Sequence, residues 1–521
     1  MNEIYRLGID VGGTNTDAVI LDGRNAVIAK TKTPTTPDIL SGIRNAARKV
    51  LDQFAKPASA IRFAMLSTTH CTNAIVTRKG LTRIGVIRIG APATTSIAPL
   101  AAWPQDLRDA VLEASVIIGG GHEFNGDQIA PLDLAQVRQV ATQWMGRVDA
   151  IAVTGVFSPV NRQHELRVRE VLLEEMGPDL PITLSAEIGA LGLLERENAA
   201  CLNATLHQAA HIAVNGFHDA MHEVGVSAKL FLGQNDGTLM SLEQALKFPV
   251  LTIASGPANS LRGASHLAGV RDAIVIDIGG TTSDLGVLHK GFPRESALAV
   301  EIGGVRTNFR MPDILTVGLG GGSLVSQEAG EVRIGPQSLG FRLLTEGLVF
   351  GGDTLTATDI VVAAGRASVG DPHLVSALAG DLLSESLRAM KNSLEESVDR
   401  IKLNMQQVPV IVVGGGSILC PSELAGVSTV IRPDHHDVAN AVGAAIAQLS
   451  STVEQVISLK KGSREDLLAS LVAQATSQTV EAGARPESIE VVEIEEVPLG
   501  YLSGDSIRVR VKVAGAIDLS C

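Results

Sequence analysis

Hydrophobic residues in this chain gather in short unbroken runs and in runs at helical spacing. Two unbroken runs end alike: LGIDVGGTNT at 7–16 and VIDIGGTTSD at 275–284 each carry aliphatic residues into Asp-x-Gly-Gly-Thr. Such runs predict buried strands, and the paired glycines predict a tight turn at the end of each. After the first turn, AVILD and VIAKTKT predict two more strands, so residues 5–33 are expected to form an antiparallel meander. A helix should follow, with Thr36 as its hydroxyl cap, Pro37 at its first position and Asp38 in its first turn. Ile39, Ile43, Ala47, Val50 and Phe54 then recur at a spacing that gathers them on one helix face.

Further along, strands alternate with helices. A strand around Ala64–Ser67 leads into a polar turn and a short helix; AIAVTGVF at 150–157 is a strand, and the segment after it is an amphipathic helix closed by Gly177. This alternation predicts a parallel sheet. Residues 191–224 read as helical throughout, and residues 251–269 place a Ser-Gly-Pro turn before another helix. DILTVGLGGGSLV (313–325) and VIVVGGGSIL (410–419) each predict a strand running into three glycines. A small-residue helix is expected from about Asp437 to Leu449, a polar helical stretch over 451–485, and strands over 486–521. The resulting division is 1–190 as a first half, 191–450 as a second half, and 451–521 as a small α+β appendage on that second half.

The chemistry of the repeated phrase follows from its residue types. Gly12, Gly13, Gly279 and Gly280 let the backbone turn tightly and let its N–H groups approach an anion. Asp10 and Asp277 sit at the strand ends, and Thr14, Thr16, Thr281 and Thr282 offer hydroxyls to the same space. One such turn is read as an ordinary hairpin; a pair matching at Asp, Gly, Gly and Thr is read as a clamp for a polyphosphate and its magnesium. Gly414, Gly415, Gly416 and the following Ser417 are assigned to the nucleoside end, and Gly320, Gly321 and Gly322 to the substrate side or the phosphates. Thr69, His70 and Asn73 should lie at the carboxyl end of a strand, where open α/β sheets place ligands; the competing reading is a helix cap. His207, His211, His218 and His222 form one stripe along a helix, which reads as a solvated face because one helix cannot converge three metal ligands.

Composition narrows the class. At 521 residues the chain is too long for one core, and with 45% hydrophobic but only 3% aromatic residues its core must be aliphatic, as in α/β proteins. A formal charge of −13 argues against nucleic acid or an anionic membrane as partner. No apolar run is long enough to span a bilayer, and the first strand begins too near Met1 to leave room for a signal peptide, so a cytoplasmic protein is expected. Cys71, Cys201, Cys420 and Cys521 are scattered and read as free thiols.

The two glycine turns and the late Gly-Gly-Gly after a strand resemble the superfamily of actin, hexokinase and acetate kinase. Within it, IDVGGTNTD, STTHCTNAIVTRKG, VFSPVNRQHELRVREVLLEE, ASGPA, VIDIGGTTSD and LTVGLGGGSL are similar, in order, to segments of the hydantoinase A/oxoprolinase family. The resemblance covers residues 5 to 450 and implies an α/β fold with two ribonuclease-H-like domains around a nucleotide cleft. It also implies ATP-dependent opening of a small cyclic amide such as a hydantoin, 5-oxoproline or another lactam, by phosphorylation of the amide oxygen. By that analogy Asp10 and Asp277 orient magnesium, the Gly-Gly-Thr turns hold the β- and γ-phosphates, and Thr69, His70 and Asn73 lie near the substrate. Many relatives work with a second subunit, so a hydantoinase B-type partner is implied; a homo-oligomer is also open. His70 and RPDHHDVANAVGAAIA depart from the family pattern, which leaves the substrate open. Two other readings use the same clamp: a small-molecule kinase, with Asp17 or Asp284 as base, and a nucleotide-switched activator.

Overall fold

The computed structural model describes residues 4–36, 38–189, 191–296, 300–328, 331–458, 463–500 and 506–518. Strands β1 (Tyr5–Val11), β2 (Asn15–Leu21) and β3 (Val27–Pro34) form the expected antiparallel meander, and β4 (Ile61–Thr68) lies parallel to β1 on its other side. The helix between them, Ile39–Leu51, begins two residues later than Pro37 would place it. Its cap is the Asp38 carboxylate, which accepts from the amides of Leu40 and Ser41, while the Thr36 hydroxyl donates to the Asp38 carbonyl. The expected role of Pro37 lies outside the described residues.

Strands β5 (Ile84–Ala91), β6 (Leu112–Gly119), β7 (Ala150–Gly155) and β8 (Ile182–Leu184) make a separate parallel sheet in the order β6-β5-β7-β8. The chain then returns to the first sheet with β9 (Lys229–Gly233), parallel to β4, and β10 (Leu239–Ser241). The second half repeats the plan: β11 (Ala273–Ile278), β12 (Ser283–His289) and β13 (Phe292–Pro293) are antiparallel neighbours, and Val408–Val413 and Val427–Ile431 continue parallel beyond β11. Both sheets thus run third-second-first-fourth-fifth, and the repeated phrase occupies the same turn in each. The fold is multi-domain α/β, as expected.

Three expectations change. The helical stretch 191–224 is two helices, Leu193–Thr205 and His207–Glu223. Thr82 causes the break: its amide takes the Thr205 carbonyl and its hydroxyl accepts from the Gln208 amide, removing both from the helical ladder. Ser-Gly-Pro is not a turn before a helix but the first turn of the helix Ser255–Ala268. Residues 449–458 form a strand instead of a polar helix, and only Arg464–Glu481 is helical. That strand pairs with β10 through Leu239 and Leu449, so it and the strands Ser506–Gly515 and Glu490–Pro498 extend the first-half sheet instead of forming an appendage on the second half.

The helices Ser255–Ala268 and Ala439–Ile446 cross between the two sheets. A Cβ at Gly263 would sit 1.8 Å from the Ala439 carbonyl oxygen, and one at Gly443 equally near that of Asn259, so only glycine permits this approach. The core is mainly aliphatic, with a few aromatic side chains such as Phe63, Phe217 and Phe231 buried within it. Among the described residues no helix is long and apolar enough to cross a membrane.

Candidate functional site

Each repeated turn closes on itself in the same way. The Gly12 amide donates to the Asn15 carbonyl at 3.0 Å, and the Gly279 amide to that of Thr282 at 2.9 Å. Among the described residues, the amides of Gly13, Thr14, Gly280 and Thr281 have no protein acceptor, so each turn presents two free N–H groups. The turns face one another: a Cβ at Gly280 would lie 3.8 Å from the Thr14 methyl carbon. Facing, unpaired amides of this kind bind anions.

Register places an acid pair beneath each turn. Asp10 on β1 stands opposite Asp17 on β2, which stands opposite Lys32 on β3. In the second sheet Asp277 stands opposite Asp284, which stands opposite Thr316 on the strand Ile314–Val317. Asp10 and Asp17 are buried, whereas Asp277 and Asp284 are partly open to solvent yet set deep among protein atoms.

Burial pushes the Asp10 carboxyl up to about 7; the charges of Asp17 and Asp277 add to this, while hydrogen bonds from Ser67 and Asn440 oppose it. The Asn440 side-chain amide donates to Asp10 at 2.7 Å. Burial also lifts Asp277 to about 6, with Asp284 adding and the Ser260 hydroxyl, at 2.5 Å, opposing. Asp17 is raised by burial against the pull of Lys32, whose ammonium is 2.7 Å away, and Asp284 by burial against a 2.6 Å bond from Thr316. Four carboxylates held above their ordinary range around one cleft form a place that a cation would stabilise.

The other residues singled out in the sequence fall into two groups. Thr69, His70 and Asn73 lie beside the first turn: the Thr69 amide and hydroxyl both donate to the Val11 carbonyl, and Asn73 donates to the Thr69 hydroxyl at 3.2 Å. Thr69 makes no capping bond, and half-buried His70 is lowered by burial. Gly414 packs on Asp277 so closely that a Cβ would come within 2.3 Å of its Oδ1, Gly416 donates to the Ile278 carbonyl, and Gly415 keeps an open face. Ser417 is buried behind them.

Gly320, Gly321 and Gly322 do not line the cleft. All three are buried, and their amides are spent on the Ser323 hydroxyl and the Gly279 and Gly280 carbonyls, so they brace the second turn from behind. Thr16 is likewise buried, with its hydroxyl 3.2 Å from that of Thr35. His207 and His211 stack edge to face at 4.4 Å, and among the described residues no group of three potential metal ligands occurs. Burial raises the Cys71 thiol to about 11, which keeps it protonated and inert.

Sequence reasoning missed Lys32, Ser67, Ser260 and Asn440. Asn440 left one signal, a lone amide inside the run ANAVGAAI. A cavity of about 1150 Å³ opens elsewhere, between the carboxyl end of β7, the β9–β10 turn and the C-terminal strands, and none of the four aspartates lines it.

A family model described as the hydantoinase/oxoprolinase N-terminal region matches residues 6–176, and one described as hydantoinase/oxoprolinase matches residues 196–371. The chain is 28% identical over 396 residues to the acetophenone carboxylase gamma subunit of Aromatoleum aromaticum, covering 70% of this chain and 53% of that protein. It is 27% identical over 395 residues to the caprolactamase subunit alpha of Pseudomonas jessenii, covering 70% and 55%. The chain therefore spans little more than half the length of these relatives. In fold it is similar to the ATP-dependent caprolactamase from Pseudomonas jessenii, with a TM-score of 0.77 at 20% identity over 99% of this chain and 88% of that one. Asp10 lies in the first matched region and Asp277 in the second, and because the two models together match more than half of the chain, it belongs to the hydantoinase/oxoprolinase family.

Proposed function

We propose that this chain is the ATP-using component of a cyclic-amide hydrolase. The observation that carries the reading is the pair of facing turns, each with two free amides and an acid pair beneath it. In this reading the amides of Gly13, Thr14, Gly280 and Thr281 take phosphate oxygens, while the open face of Gly415 takes the nucleoside. Thr69, His70 and Asn73, beside the first turn, meet the cyclic amide. Asp10 and Asp277 suit magnesium, a hard ion that keeps several waters and takes few carboxylates; when bound it supplies positive charge against the phosphates.

A ring amide resists water because its carbonyl is resonance-stabilised and its nitrogen leaves badly. Phosphorylation removes both obstacles. The amide oxygen bonds to the γ-phosphorus as the bond to the β,γ-bridging oxygen breaks, ADP leaves with that electron pair, and the nitrogen gives up its proton. Two waters then complete ring opening and phosphate release. The protein's part is to hold the phosphates and the amide in line while the turns stabilise the transferring charge. Two relatives are named as subunits, which supports a partner subunit; in this reading that partner performs the hydrolysis.

The experiment is incubation with ATP and hydantoin, 5-oxoproline or caprolactam labelled with ¹⁸O at the carbonyl, with and without a hydantoinase B-type subunit. The reading expects ADP, an opened ring and ¹⁸O in the released phosphate. A phosphorylated product that persists with its ring closed would replace it with the kinase reading, and slow ADP release indifferent to the amide with the switch reading.

A further inference from the structure

The two acid rows are alike in their first two members and differ in the third. Asp10, Asp17 and Lys32 align across β1, β2 and β3, whereas Asp277, Asp284 and Thr316 align across β11, β12 and the strand Ile314–Val317. Lys32 is the only cation paired with any of the four aspartates among the described residues. Its neighbour Lys30 is already engaged by Asp437 at 2.6 Å. The Lys32 side chain is 33% exposed while its partner Asp17 is 3% exposed, so the ammonium stands at the cleft surface over a buried acid. Its field reaches across the cleft, where it draws Asp277 downward against burial. Just past the end of the strand that carries it, Thr35 braces the first turn: its amide donates to the Thr14 carbonyl and its hydroxyl to that of Gly12.

A triphosphate clamped between these turns has its nucleoside at Gly415, in the second half, which directs its far end toward the first half and Lys32. Threonine at the matching position of the second row supplies only a hydroxyl, so the cleft has one positively charged end. A lysine ammonium is a compact point charge on a flexible stem, suited to sharing itself between a carboxylate and a phosphate. We propose that Lys32 binds the terminal phosphate of the nucleotide, its ammonium bridging Asp17 and the γ-phosphoryl group, and so makes the cleft prefer a triphosphate to a diphosphate. This rests on the nucleotide reading of the site.

The test is calorimetric titration of the full chain with Mg-ATP and Mg-ADP, in parallel with Lys32→Met and Lys32→Arg. Loss of one charge-assisted contact should weaken ATP by about tenfold or more. ADP should change by less than about twofold, and Lys32→Arg should recover most of the loss. Because Lys32→Met leaves Asp17 buried and unpaired, the double variant Asp17→Asn with Lys32→Met is measured alongside, and it should show the same selective loss of ATP. Equal loss of both nucleotides, or no loss of either, overturns the inference while leaving the clamp standing. Failure of the unchanged chain to bind any nucleotide overturns the clamp and this inference together.

Discussion

Asp10 should cost the empty protein stability, and its removal should reveal how much. Burial moves its carboxyl from an ordinary 3.8 to about 7, so the folded chain binds a proton there that the unfolded chain releases. For an acid raised in this way the stabilising contribution is complete below pH 3.8 and is lost as the pH climbs through 7. At about 1.4 kcal/mol per unit, the loss reaches roughly 2 kcal/mol by pH 5 and about 4 kcal/mol by pH 8. Asp10→Asn keeps the shape, can still accept from Asn440 and can donate to Ser67, but never ionises. The variant should therefore unfold at higher urea than the parent, with an advantage that grows between pH 5 and pH 8, followed by far-UV circular dichroism without nucleotide or metal. The stabilisation expected from Mg-ATP in the parent should vanish in it. A variant less stable than the parent at pH 8, or a difference that does not change with pH, would refute the assignment of a strained, cation-seeking acid at this position.

Other perturbations follow from the same geometry. Asn440→Ala removes the 2.7 Å donor to Asp10 and should lift its carboxyl further, so the rise of Mg-ATP affinity with pH, expected near 7 in the parent, should move to higher pH when followed by calorimetry. Gly263→Ala forces a methyl to within 1.8 Å of the Ala439 carbonyl oxygen and should cost about 3 kcal/mol or more, read as a lowered melting temperature. Glu197→Ala strips both carboxylate bonds, at 2.6 and 2.7 Å, from the buried Arg88 guanidinium beneath the parallel sheet. It should cost about 3–5 kcal/mol in urea unfolding, because an uncompensated charge stays inside.

How far the sequence discloses this site depends on the distance over which each feature is made. Asp10, Asp277 and their glycines are local: a strand, an acid and a turn lie within ten residues, and repetition marks them. Asp17 and Asp284 follow once the turn is known, since a hairpin fixes which residues stand opposite. Lys32 needs a second hairpin and its register shift, so the eye passes over it. Asn440 is 430 residues from the acid it holds, and no pattern within its helix could reveal that. The three glycines at 320–322 look like a binding loop, yet tertiary packing spends their amides behind the second turn. Thr82 breaks a helix far along the chain, which periodicity inside the helix cannot anticipate. The strand Leu449–Ser458 belongs to the first-half sheet only through the Leu239–Leu449 pairing, a non-local choice that polar composition disguised as helix.

The most direct test of the central claim is titration of the chain with ATP, with and without magnesium, beside Asp277→Ala. Micromolar binding is expected that requires magnesium and is lost in a variant whose circular dichroism and melting cooperativity match the parent. Binding that ignores magnesium, or survives unchanged in the folded Asp277→Ala variant, would contradict a metal-bridged clamp between the two turns.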